Sequence, residues 1–184
     1  MWHRELVDRP LSGAPADQAP GAAPQLRPPH NLVSPRAVWY WTVRALGGWV
    51  VVLLVQVAWM LVLRDGELRW HVIALAITIV LAAAHLIVMP QWRFRVHRWE
   101  VTAKAVYTQA GWFSQERRIA PISRIQTVDT ERGPLEQLFG LSNVTVTTAS
   151  AAGPLKIHGL DRDRAQKVVD ELAVAIESTR GDAT

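Results

Sequence analysis

Chemistry in a protein needs side chains that ionise, attack or ligate, and here those are six histidines, sixteen carboxylates and scattered serines, with no cysteine. The absence of cysteine removes thiolate nucleophiles, thiolate zinc sites and disulfide frameworks together. His97 and His158 fall in strand-like stretches outside any H-E-x-x-H or comparable ligand spacing. They read as exposed or sheet-surface histidines, and no metal site is expected. Ser114, Ser123, Ser142 and Ser150 lack a G-x-S-x-G context. Asp129 and Glu131 share one side of a strand pattern, the signature of a solvated face paired with arginine rather than of an acid–base couple. No phosphate-cradling glycine loop occurs. The expectation is a chain with no catalytic residue and no cofactor, that is, not an enzyme.

The arginines are the better lead. Arg93, Arg95 and Arg98 follow directly on an apolar run, and Arg117, Arg118 and Arg124 add a second basic group. Near an anionic leaflet each contributes about 1 kcal/mol of attraction. These six are the candidate lipid- or partner-binding residues, although Glu116, Asp129 and Glu131 lie close enough in sequence to neutralise part of the second group. The net charge of +4 also admits nucleic acid. No helix-turn-helix or aromatic-basic stacking pattern supports that, so no nucleic acid is expected.

The elements that must position these arginines begin with membrane. Residues 46–63, LGGWVVVLLVQVAWMLVL, carry no charge and as a helix span about 27 Å, close to a hydrocarbon core of about 30 Å. A second uncharged run covers 70–89 and ends at Pro90, with an Asp65-Gly66 turn signal between the two. Neither run has the polar face of a soluble hairpin. Residues 37–90 therefore read as a transmembrane helical hairpin. Antiparallel helices place residues level when their numbers share a constant sum, so Gln56 and Thr78 are expected to meet near mid-membrane through a hydrogen bond worth on the order of 1 kcal/mol. His85 lies about one turn from the inner end, where it snorkels or packs as a neutral imidazole.

Arg27, Arg36, Arg44, Arg93, Arg95, Arg98 and Lys104 flank the outer ends of the pair, against Arg64 and Arg69 in the turn. The positive-inside rule then places both chain ends in the cytoplasm of a multi-pass inner-membrane protein. Trp39, Tyr40, Trp41 and Trp92 supply an inner aromatic belt and Trp70 an outer one. Residues 1–36 hold most of the prolines among Ala, Gly and Gln, too little apolar surface to offset chain entropy. They read as a disordered cytoplasmic tail, and 179–184 as a second short tail.

Residues 91–178 change texture. Strands are expected near 94–101, 105–110, 112–119, 124–131, 143–148 and 154–158, with alternation clearest in Asn143-Val-Thr-Val-Thr-Thr148. Gly133 to Gly140 reads as one helical turn that plugs the sheet with Leu135, Leu138 and Phe139. Asp161 can cap a helix reaching about Glu177, with Ala165, Val168, Val169, Leu172 and Ile176 as its apolar stripe.

The stretch Ile119-Ala-Pro-Ile-Ser-Arg-Ile-Gln-Thr-Val-Asp129, then Gly133-Pro-Leu-Glu-Gln-Leu-Phe-Gly-Leu141, then Val144-Thr-Val-Thr-Thr-Ala149, resembles the bacterial pleckstrin-homology-like domain of YdbS-like membrane proteins. The similarity covers about 92–175 and fits the paired spans before it. Its motif falls on Arg124, Gln126, Pro134, Leu138, Gly140 and Thr148. Gln137 departs from it, since the pattern often carries Arg there. The resemblance implies an α+β membrane protein, with a PH-like β-barrel or sandwich closed by a C-terminal helix; it does not imply phosphoinositide binding. The expected role is a membrane-anchored interaction or scaffold module on the cytoplasmic face. Its expected partners are the lipid bilayer and another PH-like-domain membrane protein or a second copy of itself. The alternatives are an anionic-lipid headgroup sensor and, on charge alone, a nucleic-acid-binding regulator.

Overall fold

The computed structural model describes residues 28–62, 68–111, 114–151 and 153–181. Two long helices, α1 (Arg36–Val62) and α2 (Leu68–Val96), are both long and apolar enough to cross a membrane. Their side chains are largely exposed, as expected of surfaces that face lipid rather than a protein core. The turn between them and the tail before residue 28 lie outside the described residues.

Both helices overrun the expected spans toward the domain. α1 starts at Arg36, about ten residues before the uncharged run, because its first turns pack into the domain. α2 runs through Pro90 to Val96 instead of ending at the proline. A proline removes one intrahelical hydrogen bond, and tertiary contacts of Arg93, Phe94 and Val96 hold the continuation. The strand expected from residue 94 consequently begins at Arg98.

The domain has two antiparallel sheets. The first joins β1 (Asn31–Leu32), β2 (Arg98–Val101), β3 (Ala105–Ala110) and β4 (Glu116–Pro121) in that order. The second joins β5 (Ile125–Glu131), β6 (Leu141–Thr148) and β7 (Leu155–Asp161). The sheets are not hydrogen-bonded into one closed barrel, so the sandwich form of the expectation holds. β1 corrects the view of residues 1–36 as tail throughout. Leu32 pairs with Arg98, and the Trp99 indole N–H donates to the Leu32 carbonyl. Val33 beside it joins the hydrophobic core, while the Leu32 side chain stays exposed.

Trp99, Val106, Ala120, Val144, Val146, Ile157 and Leu160 form the core between the sheets. Helix α4 (Arg162–Gly181) closes one end by burying Ala165, Val168 and Leu172 against the 3₁₀ turn Ile122–Arg124 and the second sheet. Burial of aliphatic side chains the size of Val168 and Leu172 stabilises the fold by about 1.5–3 kcal/mol each.

The short helix α3 (Pro134–Leu138) is not a plug. Leu135 is 41% and Leu138 77% exposed. Glu136 and Phe139, three apart, take the inner side instead, which turns the Leu135/Leu138 pair outward. Gly140 follows in the left-handed region at φ +66°, as the turn into β6 requires.

Candidate membrane-interface site

The site forms where the foot of α1 enters the domain. Ser34 begins it: its amide donates to the Gly159 carbonyl at 2.8 Å, and its hydroxyl donates to Asp161 at 2.8 Å and accepts from the Arg36 amide at 3.2 Å. Asp161 therefore ties β7 to the start of α1, with Arg36 3.8 Å away. Ala37 then lies against Gly159, where an added Cβ would stand 3.0 Å from the Ala37 methyl and φ is +73°. Glycine is needed there twice over, for the backbone and for the close approach.

One turn on, Trp41 is only 3% exposed. Its ring packs against His97 with centroids 5.2 Å apart, and the Arg93 guanidinium lies over it at 4.6 Å. Such a cation–π contact fixes a guanidinium without neutralising it. His97, buried at 4% exposure, has Nδ1 2.8 Å from the Arg93 carbonyl oxygen. A carbonyl only accepts, so that nitrogen carries the proton. Burial pushes the imidazole down to about 4; the hydrogen bond to the Arg93 carbonyl opposes it, and the charges of Arg93 and His158 add smaller downward effects. His158 on β7 is lowered too, by burial, then Arg93 and Lys156, with Glu136 and Glu131 offsetting part. Both histidines are thus neutral at pH 7.

Glu136 acts on His158, and its oxygens are occupied. They accept from the Gly133 amide, from Asn143 Nδ2 at 2.7 Å and from the Tyr40 hydroxyl at 3.3 Å. Burial works against its charge, but these donors together hold the carboxyl below its ordinary range. Tyr40 in turn accepts from Arg44 Nη1 at 3.3 Å and packs edge-on against Phe139.

The matching family supplies the context for this geometry. The bacterial PH domain family matches residues 45–175, from the first apolar helix into α4. The chain belongs to that family. The UPF0699 transmembrane protein YdbS of Bacillus subtilis (strain 168) is 26% identical over 158 residues, covering 84% of this chain and 97% of that protein. No solved structure matches. The resemblance read from the β-domain motif is borne out, and the match takes in the two apolar helices as well.

Within this bacterial PH domain protein the six candidate arginines do not form one patch. Arg93 turns inward onto Trp41. Arg95 is exposed, and Arg98 Nε donates to its carbonyl at 3.3 Å. Arg98 and Arg117 flank Gln109 in one cross-strand row on the outer face of the first sheet. Arg118 pairs with Glu116 at 2.6 Å and donates to the Pro154 carbonyl, at a groove shared with Lys156 and His158. Arg124 is exposed in the 3₁₀ turn, at the end closed by α4.

The family-motif residues are mainly architectural. Pro134 opens α3, Gly140 makes the turn, and Thr148 pairs with Ile125 beside the exposed Gln126. Gln137 donates to the Arg132 carbonyl at 3.4 Å. His97 is corrected: it is buried between α2 and β2, not displayed on a strand.

In the helices Gln56 and Thr78 do not bond. The Thr78 hydroxyl donates to its own helix at the Ala74 carbonyl, and Gln56 Oε1 is buried without a partner. An interhelical bond runs instead from Trp49 Nε1 to His85 Nδ1, at 2.9 Å. Thr78 loses to a nearer acceptor, since a short hydroxyl reaches the carbonyl one turn back more easily than a neighbouring helix. The constant-sum rule itself is sound: the sum that sets Gln56 level with Thr78 also sets Trp49 level with His85 and Trp41 level with Arg93. Extended below the apolar runs, it is the signal that would have found Trp41, Arg44 and Arg93 as neighbours.

Proposed function

We propose that this chain is a non-enzymatic, membrane-anchored interaction module of the bacterial cell membrane, with both ends of its hairpin on the cytoplasmic side. Its PH-like domain serves as a docking surface for another PH-like-domain membrane protein or a second copy. The observation that carries this reading is the burial of Ala37 and Trp41 in the domain core. With the foot of α1 built into the domain, the domain keeps a fixed height and orientation on the bilayer, as a docking platform requires and a free tether does not provide. The outward Leu135 and Leu138, on the turn that Glu136 ties to Tyr40, give the platform an apolar foot beside the bilayer.

β5 supports the docking role. It pairs only with β6 among the described residues and presents Gln126, Thr127, Asp129, Thr130 and Glu131 outward. An unpaired edge accepts an added strand. A photo-crosslinking residue at Thr130 in native membranes is expected to give one discrete product, of heterodimer or homodimer mass, that a probe at Ser178 does not give. Monomer alone from Thr130 would remove the docking role. The orientation has its own check in a chain without cysteine: Gly66→Cys should label from outside intact cells, and Ser150→Cys only after the membrane is opened.

A further inference from the structure

We propose that Arg44 and Arg93 together bind the phosphate of an anionic phospholipid in the headgroup layer on the domain side. The proposal goes beyond the docking role and does not depend on it. Neither guanidinium has a carboxylate within ion-pair distance among the described residues. The two rest on adjacent residues of the foot of α1, Arg44 on Tyr40 and Arg93 on Trp41. Each is also held in place: Arg93 over the Trp41 ring at 4.6 Å, Arg44 by the Tyr40 hydroxyl at 3.3 Å.

Among the described residues, the one carboxylate linked to them does not balance two cations. Glu136 carries a single negative charge, shared among the donors Gly133, Asn143 and Tyr40, and reaches Arg44 only through the Tyr40 hydroxyl, while His97 and His158 are neutral at pH 7. Two like charges held close together repel, and an anion that joins them relieves that repulsion. A phosphodiester fits, because guanidinium groups bind phosphate oxygens in bidentate geometry.

Position selects lipid as the source. Arg44 stands two residues before the uncharged run of α1, and Arg93 three residues after Pro90. Exposed Trp39 and Trp92 mark the same level as interfacial. A phospholipid whose acyl chains lie along α1 and α2 brings its phosphate to this height without leaving the bilayer.

The test is native mass spectrometry of the full chain in mild detergent, with added phosphatidylglycerol, phosphatidylcholine or inorganic phosphate. Phosphatidylglycerol is expected to stay bound under activation that strips phosphatidylcholine. Arg44→Gln alone, at an exposed residue whose loss cannot unfold the domain, should weaken retention about fivefold, and R44Q/R93Q on the order of tenfold or more. R95Q/R98Q, at basic residues outside the cluster, should change it less than about twofold. Unchanged retention in R44Q and R44Q/R93Q overturns the site. An equal loss in R95Q/R98Q reduces it to a general basic belt and overturns it too. Displacement of the lipid by millimolar inorganic phosphate would assign the site to a soluble anion, and the lipid proposal fails.

Discussion

At the domain end, α1 and α2 meet through Trp41 under Arg93 and through Trp49 donating to His85, whereas toward the far end Gln56, Met60, His71 and Leu75 line an open cleft between them. The cleft measures about 270 Å³, and Gln56 Oε1 is buried beside it without a partner. Composition does not explain the difference, since both ends are aliphatic with a few aromatics. Lipid tails are as apolar as leucine, so a helix pair gains nothing from hydrophobic contact alone and stays closed only where packing or hydrogen bonds favour it. The domain supplies that at one end. Stability of the hairpin should accordingly fall off with distance from Gly159.

The sharpest way to break this comparison is a tryptophan at each end. Trp41→Ala should destabilise the protein by about 4 kcal/mol, because it empties a buried site and leaves His97 and Arg93 without their ring. Trp59→Ala, exposed beside the far cleft, should cost less than about 1 kcal/mol. Chemical denaturation in mild detergent, followed by far-UV circular dichroism, compares them directly. Similar losses would mean that the two ends are equally packed.

Acid should loosen the same joint selectively. The folded imidazole of His97 is depressed to about 4 from an ordinary 6.5. For a base lowered on folding, the unfolded chain binds the extra proton between those two values, so the stabilisation is complete above pH 6.5 and lost as the pH falls toward 4. The full effect is about 3 kcal/mol. His158, lowered for the same main reason, adds in the same direction. Glu136 is depressed below the ordinary carboxylate range, so its contribution is lost only at more acid pH. A melting temperature that declines between pH 6.5 and 4 in the native chain, and flattens in His97→Asn, is the expected result. An unchanged slope in the variant would place the proton uptake elsewhere.

What the sequence discloses follows the range of its signals. Val144 and Val146 alternate with threonines and are both fully buried, while Ala165, Val168 and Leu172 keep the helical period and close the domain. Those patterns are local. Residues 36–45 carry no such run, and they become helix because Ser34, Ala37 and Trp41 find Gly159, Asp161 and His97 more than fifty residues away. The site has the same character. Arg93 is conspicuous in sequence but Arg44 is not, and only the antiparallel level of the two helices joins them. α3 shows the opposite error: an i, i+3 leucine pair looks like core until Glu136 is seen to claim the inner side.

The smallest effects separate the two ends within the membrane itself. Trp49→Phe keeps the ring but removes the donor to His85 Nδ1, and an interhelical hydrogen bond of this kind contributes about 1 kcal/mol. Gln56→Leu removes a buried amide oxygen that has no partner, so it should be neutral or stabilise by up to about 1 kcal/mol. The opposite signs are the informative part. If Gln56→Leu instead weakens the protein as much as Trp49→Phe does, the far cleft is closed in the bilayer by a contact to that amide, and the contrast between the two ends would have to be redrawn as two joints of equal kind.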